Sequence, residues 1–428
     1  MNTTMTRGQA IVETARHYRS LINADVARGY LALPRRRIEE GVNPLDEAIR
    51  WICRAQDAAG DGGVARSYAL AYLPFFRRSG WLPSYPETTG YIIPTMFDYA
   101  HSTGRGDVFD RAVRMTDWEC DVQMSSGAVQ GGTIDQPPTP AVFNTGQVIF
   151  GWVRAFEETR NERYLAAAMR AGDFLLRAQD ADGAWRRHLS RYASERIPSY
   201  TYNTRTAWAL LVLAHASGRA RFRQAAVRNV EFALREQLPN GWFRNNCLYD
   251  PARPLVHTIA YSLRGVLEVG LALNDRRCVA AVEVAADALL RNQRSDGSLA
   301  GKFDERWRPS VRWSCLTGNA QMGLVWGRLY EATGSQKYLG GLAAANRFLR
   351  RVQWLDTGNP GLDGGISGSH PLHGLYGRFE VLNWAVKFFA DSLMLEARIA
   401  RAARDNETVA VHPAHVSGID AAAREVRA

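Results

Sequence analysis

Five residues have side chains that could transfer protons or attack a reacting group: Glu87, Tyr202, His257, Tyr261 and Glu380. Each lies at or near the predicted start of an apolar helix. A carboxyl group can act as a general acid, a base or a nucleophile, and burial or neighbouring charges tune His and Tyr for proton transfer. His257 and Tyr261 are four residues apart, which places them on one helical face. The alternatives are an ordinary buried contact for this pair and, for Glu87, a role in starting its helix.

A second group of polar and aromatic residues lies near the same helix starts and is predicted to bind a substrate. Its members are Asp135, Asn203, Arg205, Arg312, Trp313, Asn319, His370, His373, Tyr376, Arg378 and Asn383. A guanidinium group such as that of Arg205 or Arg312 binds a carboxylate through two parallel hydrogen bonds. His370 and His373 have no third ligand at a clear spacing, so we predict neither a metal site nor a cofactor.

The elements that must position these residues follow from a phrase repeated about six times. An apolar helix ends in Gln, a polar loop with Gly follows, and a second apolar helix begins. The copies are AQDAAGDGG, VQMSSGAVQGG, AQDADGAW, EQLPNGWF, NQRSDGSL and VQWLDTGNPGLDGG. Such repeats are single supersecondary units that bury their apolar faces only by stacking together. Six helical hairpins predict an all-α fold, a closed ring of twelve helices, in which the loop Gln and Trp residues mainly fasten neighbouring hairpins.

The two helices of each hairpin differ in their apolar pattern. The second helices, such as 204–216, are apolar on all sides and are predicted to form the inner ring. All the repeated loops lead into the N-termini of these inner helices, so they lie on one rim. Helix N-termini present free N–H groups and a positive dipole end, which favours an anionic or hydroxyl-rich ligand. Closure of the ring is also predicted to bring Glu87, in the first hairpin, next to Glu380, in the sixth.

The composition is that of a globular protein, and the repeat assigns most of its 428 residues to one domain. We predict a helical extension over residues 1–40, the ring over 41–402 and a polar tail over 403–428. No apolar run is long enough to span a membrane, and the first residues do not resemble a signal peptide. Five scattered cysteines favour reduced thiols and a cytoplasmic location.

The net charge of +10 comes mainly from Arg residues spread along the chain. No basic patch interleaved with aromatic residues is present, which argues against a nucleic-acid partner. The remaining alternatives are a solvated basic surface, an acidic small molecule or glycan, and peripheral association with anionic lipid. The oligomeric state is left open.

Three further phrases carry a resemblance to a known group of proteins: WLPSYPETTGYIIPTMFDYA, WSCLTGNAQMGL and GGISGSHPLHGLYGRFEVLNWAVKFFADSLM. With the repeat, they resemble the (α/α)6 toroid superfamily of carbohydrate-active proteins, and more closely toroid proteins of bacterial exopolysaccharide biosynthesis loci. The resemblance implies an (α/α)6 toroid and an enzyme acting on an acidic or hydroxyl-rich glycan. A non-catalytic glycan-binding or assembly protein is the competing interpretation.

The repeated loop is also similar to those of squalene and terpene cyclases, which makes a terpene-cyclase-like protein a further alternative. The Asp-x-Asp-Asp motif that protonates an alkene in such enzymes is absent. The paired aspartates of unsaturated-uronyl hydrolases also have no clear counterpart.

The resemblance leaves the reaction open between lyase, epimerase and hydrolase chemistry. In a lyase or an epimerase, Arg205 or Arg312 would neutralise a uronate carboxylate while His257, Tyr202 or Tyr261 moves a proton.

A hydrolase would instead need two carboxyl groups flanking the glycosidic bond. Glu87 paired with Glu380 or Asp135 is the prediction for that case.

Overall fold

The computed structural model describes residues 7–23, 25–27 and 41–411. The N-terminal helix α1 spans Arg7–Ser20 and precedes a ring of twelve helices. The outer helices are α2 (Pro44–Ala59), α4 (Gly106–Asp121), α6 (Glu162–Ala178), α8 (Ala220–Arg235), α10 (Arg276–Arg291) and α12 (Gln336–Val352). The inner helices are α3 (Pro86–Thr103), α5 (Val142–Thr159), α7 (Thr204–Ser217), α9 (Val256–Leu273), α11 (Leu316–Thr333) and α13 (Asn383–Val411).

The inner helices contact one another in sequence order from α3 to α13, and α13 contacts α3. This contact closes the ring, and the predicted all-α (α/α)6 toroid with an extra N-terminal helix is confirmed. The inner helices are buried almost all round: every residue from Val256 to Leu263 in α9 is buried. Outer helices bury one stripe, as in α10, where the buried residues recur every three or four positions.

The repeated Gln at or near the end of each outer helix ties its hairpin to the next one. In the fifth hairpin, Gln293 Nε2 donates to the carbonyl of Gly297 in its own loop and to that of Gly341 in α12, both at 3.1 Å. The equivalent residues Gln56, Gln123, Gln179, Gln237 and Gln353 make the same pair of bonds. The last of them reaches the carbonyl of Pro44 in α2 at 2.9 Å, so the tie also closes the ring.

The glycine of each repeated loop is required by the same packing. Gly297 has φ +92°, and a Cβ atom there would lie 2.1 Å from the carbonyl oxygen of Ala344 in the next outer helix. The loop aromatics are also structural: Trp185 is buried, and its Nε1 donates to the Leu175 carbonyl. The repeated phrase therefore fastens hairpins, as its packing interpretation predicts.

Five short strands lie on the rim: β1 (Ser67–Leu73), β2 (Arg78–Trp81), β3 (Ser314–Cys315), β4 (Ser369–His370) and β5 (Glu380–Leu382). They form an antiparallel sheet in the order β2-β1-β5 and a β3-β4 pair. The sequence pattern placed residues 380–382 at the start of the last helix, which is wrong. These residues pair instead with β1, so that the backbone of the sixth hairpin bonds to that of the first.

Helix α1 packs on β1, where His17 Nδ1 lies 2.6 Å from the Tyr72 carbonyl oxygen and the Ser20 hydroxyl accepts from the Tyr72 N–H. At the other end, α13 continues to Val411, beyond the predicted domain boundary at residue 402. The rest of the predicted tail, and most of the predicted extension after residue 27, lies outside the described residues. Within the described residues, every helix is too short or too polar to cross a bilayer.

Candidate active site at the rim of the ring

A cavity of about 230 Å³ opens where the inner helices begin; we call it the rim cavity. Its walls come from the first residues of α3, α5, α9 and α13 and from the loop before α7. The lining side chains include Arg66, Tyr85, Glu87, Tyr91, Phe143, Tyr192, Tyr202, Tyr249, His257, Tyr261, Tyr376 and Trp384. The convergence of inner-helix N-termini on one polar and aromatic cavity is the arrangement that the repeat predicts.

Glu87 is the one carboxylate that lines the rim cavity among the described residues. Pro86 occupies the first position of α3, where its missing N–H costs nothing, and sets Glu87 in the first turn. The Tyr85 hydroxyl donates to Glu87 Oε2 at 2.6 Å. Burial raises the pKa of Glu87 from 4.5 to about 7, against the Tyr85 hydrogen bond and the charges of Arg205 and Arg66, which lower it. The carboxyl group is therefore partly protonated near neutral pH.

His257 lies in the first turn of α9 and is buried. Its Nδ1 lies 2.8 Å from the side-chain oxygen Oε1 of Gln321. Because that oxygen accepts a hydrogen bond, Nδ1 carries the proton and Nε2 keeps a free lone pair. Burial lowers the pKa of His257 to about 4, so the imidazole is neutral at pH 7. Its ring packs 4.4 Å from that of Tyr261 and 5.3 Å from that of Tyr376.

The remaining wall is made mainly of phenols. Burial raises the pKa of Tyr85, Tyr91, Tyr202, Tyr261 and Tyr376, so all five stay protonated at neutral pH. The Tyr261 hydroxyl is buried and lies beside the Tyr91 phenol, whose hydrogen bond lowers the pKa of Tyr261 against the effect of burial. The wall thus offers flat rings and hydrogen-bond donors.

Arg66 is held at the edge of the rim cavity by Glu380. The guanidinium forms an ion pair with Glu380 Oε2, which also accepts a 2.7 Å hydrogen bond from the Ser67 hydroxyl. It stacks 5.0 Å from the Trp384 ring, and its buried Nε has no partner among the described residues. Glu380 does not line the cavity, because it lies in β5 with its charge satisfied by Arg66. The structure therefore places the Glu380 carboxylate behind Arg66 and outside the lining of the rim cavity.

Of the sixteen predicted site residues, Glu87, Tyr202, His257, Tyr261 and Tyr376 line the rim cavity together. Arg205, predicted to bind there, instead lines a second cavity on the other side of the aromatic floor. The Arg205 guanidinium lies 5.2 Å from the Tyr261 ring centroid.

The other predicted binding residues do not line the rim cavity. Asn319 and Asn383 are buried structural ties: Asn319 Oδ1 accepts from the Leu299 N–H, and Asn383 Nδ2 donates to the Thr88 hydroxyl. Asn203 is buried, Trp313 packs over Gly301, and His370 packs against Phe348. Exposed positions are Asp135, Arg312, His373 and Arg378. These residues share loops with the site, but their side chains point elsewhere.

Sequence reasoning missed Arg66, Tyr85, Tyr91 and Trp384. Tyr85 and Tyr91 flank Glu87 within the phrase YPETTGY, and Trp384 belongs to the phrase LNWAV, so proximity to a helix start was an available signal. The sequence carries no such signal for Arg66, because the strand pairing that brings it beside Glu380 joins the first and last hairpins of the ring. No group of three or more His, Cys, Asp or Glu suited to a metal ion occurs in the part of the chain that the structure describes.

Comparisons with known proteins agree with this architecture. Residues 138–277 match the family model of the squalene-hopene cyclase C-terminal domain. No curated protein matches the sequence. The fold is similar to that of an unsaturated glucuronyl hydrolase specific for heparin, with 15% identity and a TM-score of 0.66 over 84% of this chain and 97% of that chain.

Two further solved structures share the fold. The unsaturated glucuronyl hydrolase of Bacillus sp. GL1 has 13% identity and a TM-score of 0.63, over 84% of this chain and 96% of that one. Cellobiose 2-epimerase of Bacillus thermoamylovorans B4167 has 11% identity and a TM-score of 0.64, over 82% and 97%. At these identities the similarity establishes the fold, the (α/α)6 toroid, while function has to be argued from the site.

Proposed function

We propose that the protein is a carbohydrate-active enzyme that binds an acidic or hydroxyl-rich glycan in the rim cavity. The observation that carries the proposal is a partly protonated Glu87 in the same aromatic cavity as a neutral His257. An acid and a base with pKa values pushed apart by burial form the usual pattern of acid–base catalysis. The similarity in fold to glucuronyl hydrolases and an epimerase supports a sugar substrate.

Proton transfer at carbon fits the rim cavity better than two-carboxylate hydrolysis. A retaining or inverting glycosidase needs a second carboxyl group about 5–10 Å from the first. Among the described residues, Glu87 is the one carboxyl group that lines the cavity. Glu380 is paired with Arg66, and Asp135 is exposed. We therefore favour epimerisation or elimination, in which a base removes the proton beside a carbonyl or carboxyl group. Epimerisation then returns a proton to that carbon from the opposite face, whereas elimination delivers one to the leaving oxygen.

Each group has a role in this proposal. The free Nε2 of His257 accepts the proton. In an epimerisation Glu87 returns a proton to the same carbon from the opposite face, and in an elimination Glu87 protonates the leaving oxygen. Arg66, which lines the cavity and is ion-paired with Glu380, donates a hydrogen bond to a substrate carboxylate, the contact first predicted for Arg205 or Arg312. The phenols of Tyr202 and Tyr261 donate to sugar hydroxyls and exclude water.

A terpene-cyclase-like activity is the second candidate, favoured by the match over residues 138–277 and by the aromatic wall. Two features weigh against it. The cavity holds only about 230 Å³, and His257 and Arg66 make it polar.

Location and pathway follow as part of the proposal. Five free cysteines are consistent with a reducing compartment, so a cytoplasmic enzyme of polysaccharide biosynthesis would act on a precursor or an oligosaccharide. A peripheral association with anionic lipid would be weakened by salt.

The test is incubation of the purified protein with uronate-containing and neutral oligosaccharides, followed by mass spectrometry and NMR. An enzyme of this class leaves an unsaturated uronate or an altered stereocentre. A non-catalytic glycan-binding protein binds the oligosaccharide without changing it. A cyclase leaves the oligosaccharide unchanged but converts a polyprene.

A further inference from the structure

A second cavity, of about 440 Å³, lies below the aromatic floor of the rim cavity; we call it the basal cavity. Tyr91 lines both cavities, so the floor between them is one side chain thick at this point. The basal cavity is rich in positive charge. Its lining cations are Arg205, Arg264, Arg328, Lys387, Arg398 and Arg401, against the carboxylates of Asp98 and Asp391.

Most of these cations are neutralised by neighbouring carboxylates. Glu268 Oε1 accepts from Arg264 and Arg328 at 2.6 and 2.8 Å. Arg398 pairs with Glu331 at 2.8 Å.

The two lining carboxylates are also occupied. Lys387 pairs with Asp391, and Asp98 accepts at 2.7 Å from Arg154, outside the cavity. These pairs hold the wall together and leave little negative charge to balance any further cation.

Arg205 is a buried cation without a carboxylate partner among the described residues. Its side chain is 4% exposed, and its Nε donates to Gln147 Oε1 at 2.6 Å. Among the described residues, no carboxylate pairs with it, and its guanidinium is stacked 5.2 Å from Phe150 and 5.3 Å from Trp208. Aromatic faces offset part of the cost of burying a cation, but a buried charge normally also has an anionic partner. Arg401, at the mouth, likewise forms no ion pair within the described chain.

Stabilisation of helix C-termini does not explain the deepest cations. Cations commonly lie in the last turn of a helix, where they complement its dipole. Arg205 is the second residue of α7 and Lys387 the fifth of α13, so both lie near the opposite ends of their helices. Their convergence on a cavity that is large enough for a small organic molecule points to a ligand instead.

We propose that the basal cavity binds a small molecule carrying a phosphate or diphosphate group. Arg205 contacts the anion at the floor, and Arg401, roughly 20 Å further along α13, attracts it electrostatically at the mouth. The planar guanidinium of Arg205 binds phosphate oxygens in pairs, and the excess of positive charge around the cavity favours a multiply charged anion. This site is separate from the rim cavity, so its test does not depend on the proposed glycan chemistry.

The test is isothermal titration of the full-length protein with pyrophosphate at fixed ionic strength. We expect saturable one-site binding. Arg205→Met should weaken it at least about tenfold, since it removes a charged hydrogen-bond donor. Arg401→Gln should weaken it about twofold to threefold, because it removes a charge at the mouth. This residue is exposed, so the variant keeps the test valid if Arg205→Met fails to fold.

The matched control is Arg347→Gln, which removes one exposed arginine from α12, away from the cavity. It should leave the pyrophosphate affinity unchanged. Absence of binding up to about 10 mM pyrophosphate, a concentration that detects even millimolar affinity, would overturn the proposal. Equal weakening by Arg347→Gln and Arg401→Gln would also overturn it, since only the overall charge would then matter.

Discussion

The Tyr85 hydroxyl donates a 2.6 Å hydrogen bond to Glu87 Oε2 from a position just before the helix that carries Glu87. A hydrogen bond to a carboxylate stabilises its ionised form, whereas burial stabilises the neutral form. Burial is the stronger effect here, and the pKa of Glu87 is raised to about 7. The pair therefore forms an acid that can give up and regain a proton near neutral pH.

Replacing Tyr85 by Phe should move the pH dependence of catalysis. Without the hydrogen bond, the pKa of Glu87 rises further. Because the proposed reaction needs protonated Glu87, activity declines with increasing pH, and this alkaline limb should shift upward by about one pH unit. The measurement is kcat/KM against pH for the wild type and for Tyr85→Phe.

Tyr249→Phe is the control for this shift, since Tyr249 lines the same cavity but is half exposed. Its alkaline limb should coincide with that of the wild type. A downward shift in Tyr85→Phe, or no shift, would show that Glu87 is not the titrating acid.

The raised pKa of Glu87 should also appear in folding stability. In the unfolded chain its pKa is near 4.5, and in the fold it is about 7. The stability that protonated Glu87 contributes is fully present below pH 4.5 and is lost as the pH rises through 7. Relative to Glu87→Gln, the wild type should lose up to about 3 kcal/mol of unfolding free energy over this range.

Urea unfolding of both proteins at several pH values measures this difference. Other titrating groups, including His257, are common to both and cancel. Parallel stability curves from pH 4 to pH 8 would contradict a pKa raised by burial.

The ties between hairpins should be measurable one at a time. Gln293→Ala removes two hydrogen bonds and leaves the carbonyls of Gly297 and Gly341 without that donor. We expect a loss of about 2–3 kcal/mol in unfolding free energy. Gln336→Ala, at an exposed position on α12, is the matched control and should change stability by less than about 0.5 kcal/mol. Similar losses in the two variants would argue against the tie.

Glu380→Gln separates a positioning role from a catalytic one. The change breaks the ion pair that holds Arg66 and leaves a buried guanidinium without its counter-ion. Unfolding free energy should fall by about 2–4 kcal/mol, and KM for a uronate substrate should rise more than kcat falls. A large loss of kcat with unchanged stability would instead restore Glu380 as a catalytic carboxylate.

The fold could be predicted from the sequence because one local phrase recurs. Gln293, Gly297 and their equivalents recur once in each hairpin, and each Gln donates to two backbone carbonyls in the same way. The inner ring was equally visible, since α9 has no polar face. Closure of the ring through β1 and β5 could not be predicted, because a strand pair between the first and last hairpins produces no local periodicity in the sequence.

The site was predictable only in part. Glu87 and His257 each lie in the first turn of an inner helix, so topology alone brings them to one rim. Arg205 also lies in a first turn, yet its long side chain passes below the floor, where Gln147 and the aromatic rings hold it. Exposed loop residues such as Arg312 and His373 share the right loops, but a loop position does not determine the direction of a side chain.

The most direct test of the account is the reaction run in heavy water and followed by NMR. Epimerisation predicts that the wild type incorporates solvent deuterium at the carbon beside the carboxyl or carbonyl group of the oligosaccharide. Elimination predicts an unsaturated uronate in which that carbon has lost its hydrogen. Glu87→Gln should bind the same oligosaccharide but convert it about 100- to 10,000-fold more slowly. Conversion that leaves the original hydrogen on that carbon, or undiminished conversion by Glu87→Gln, would contradict proton transfer at carbon by these residues.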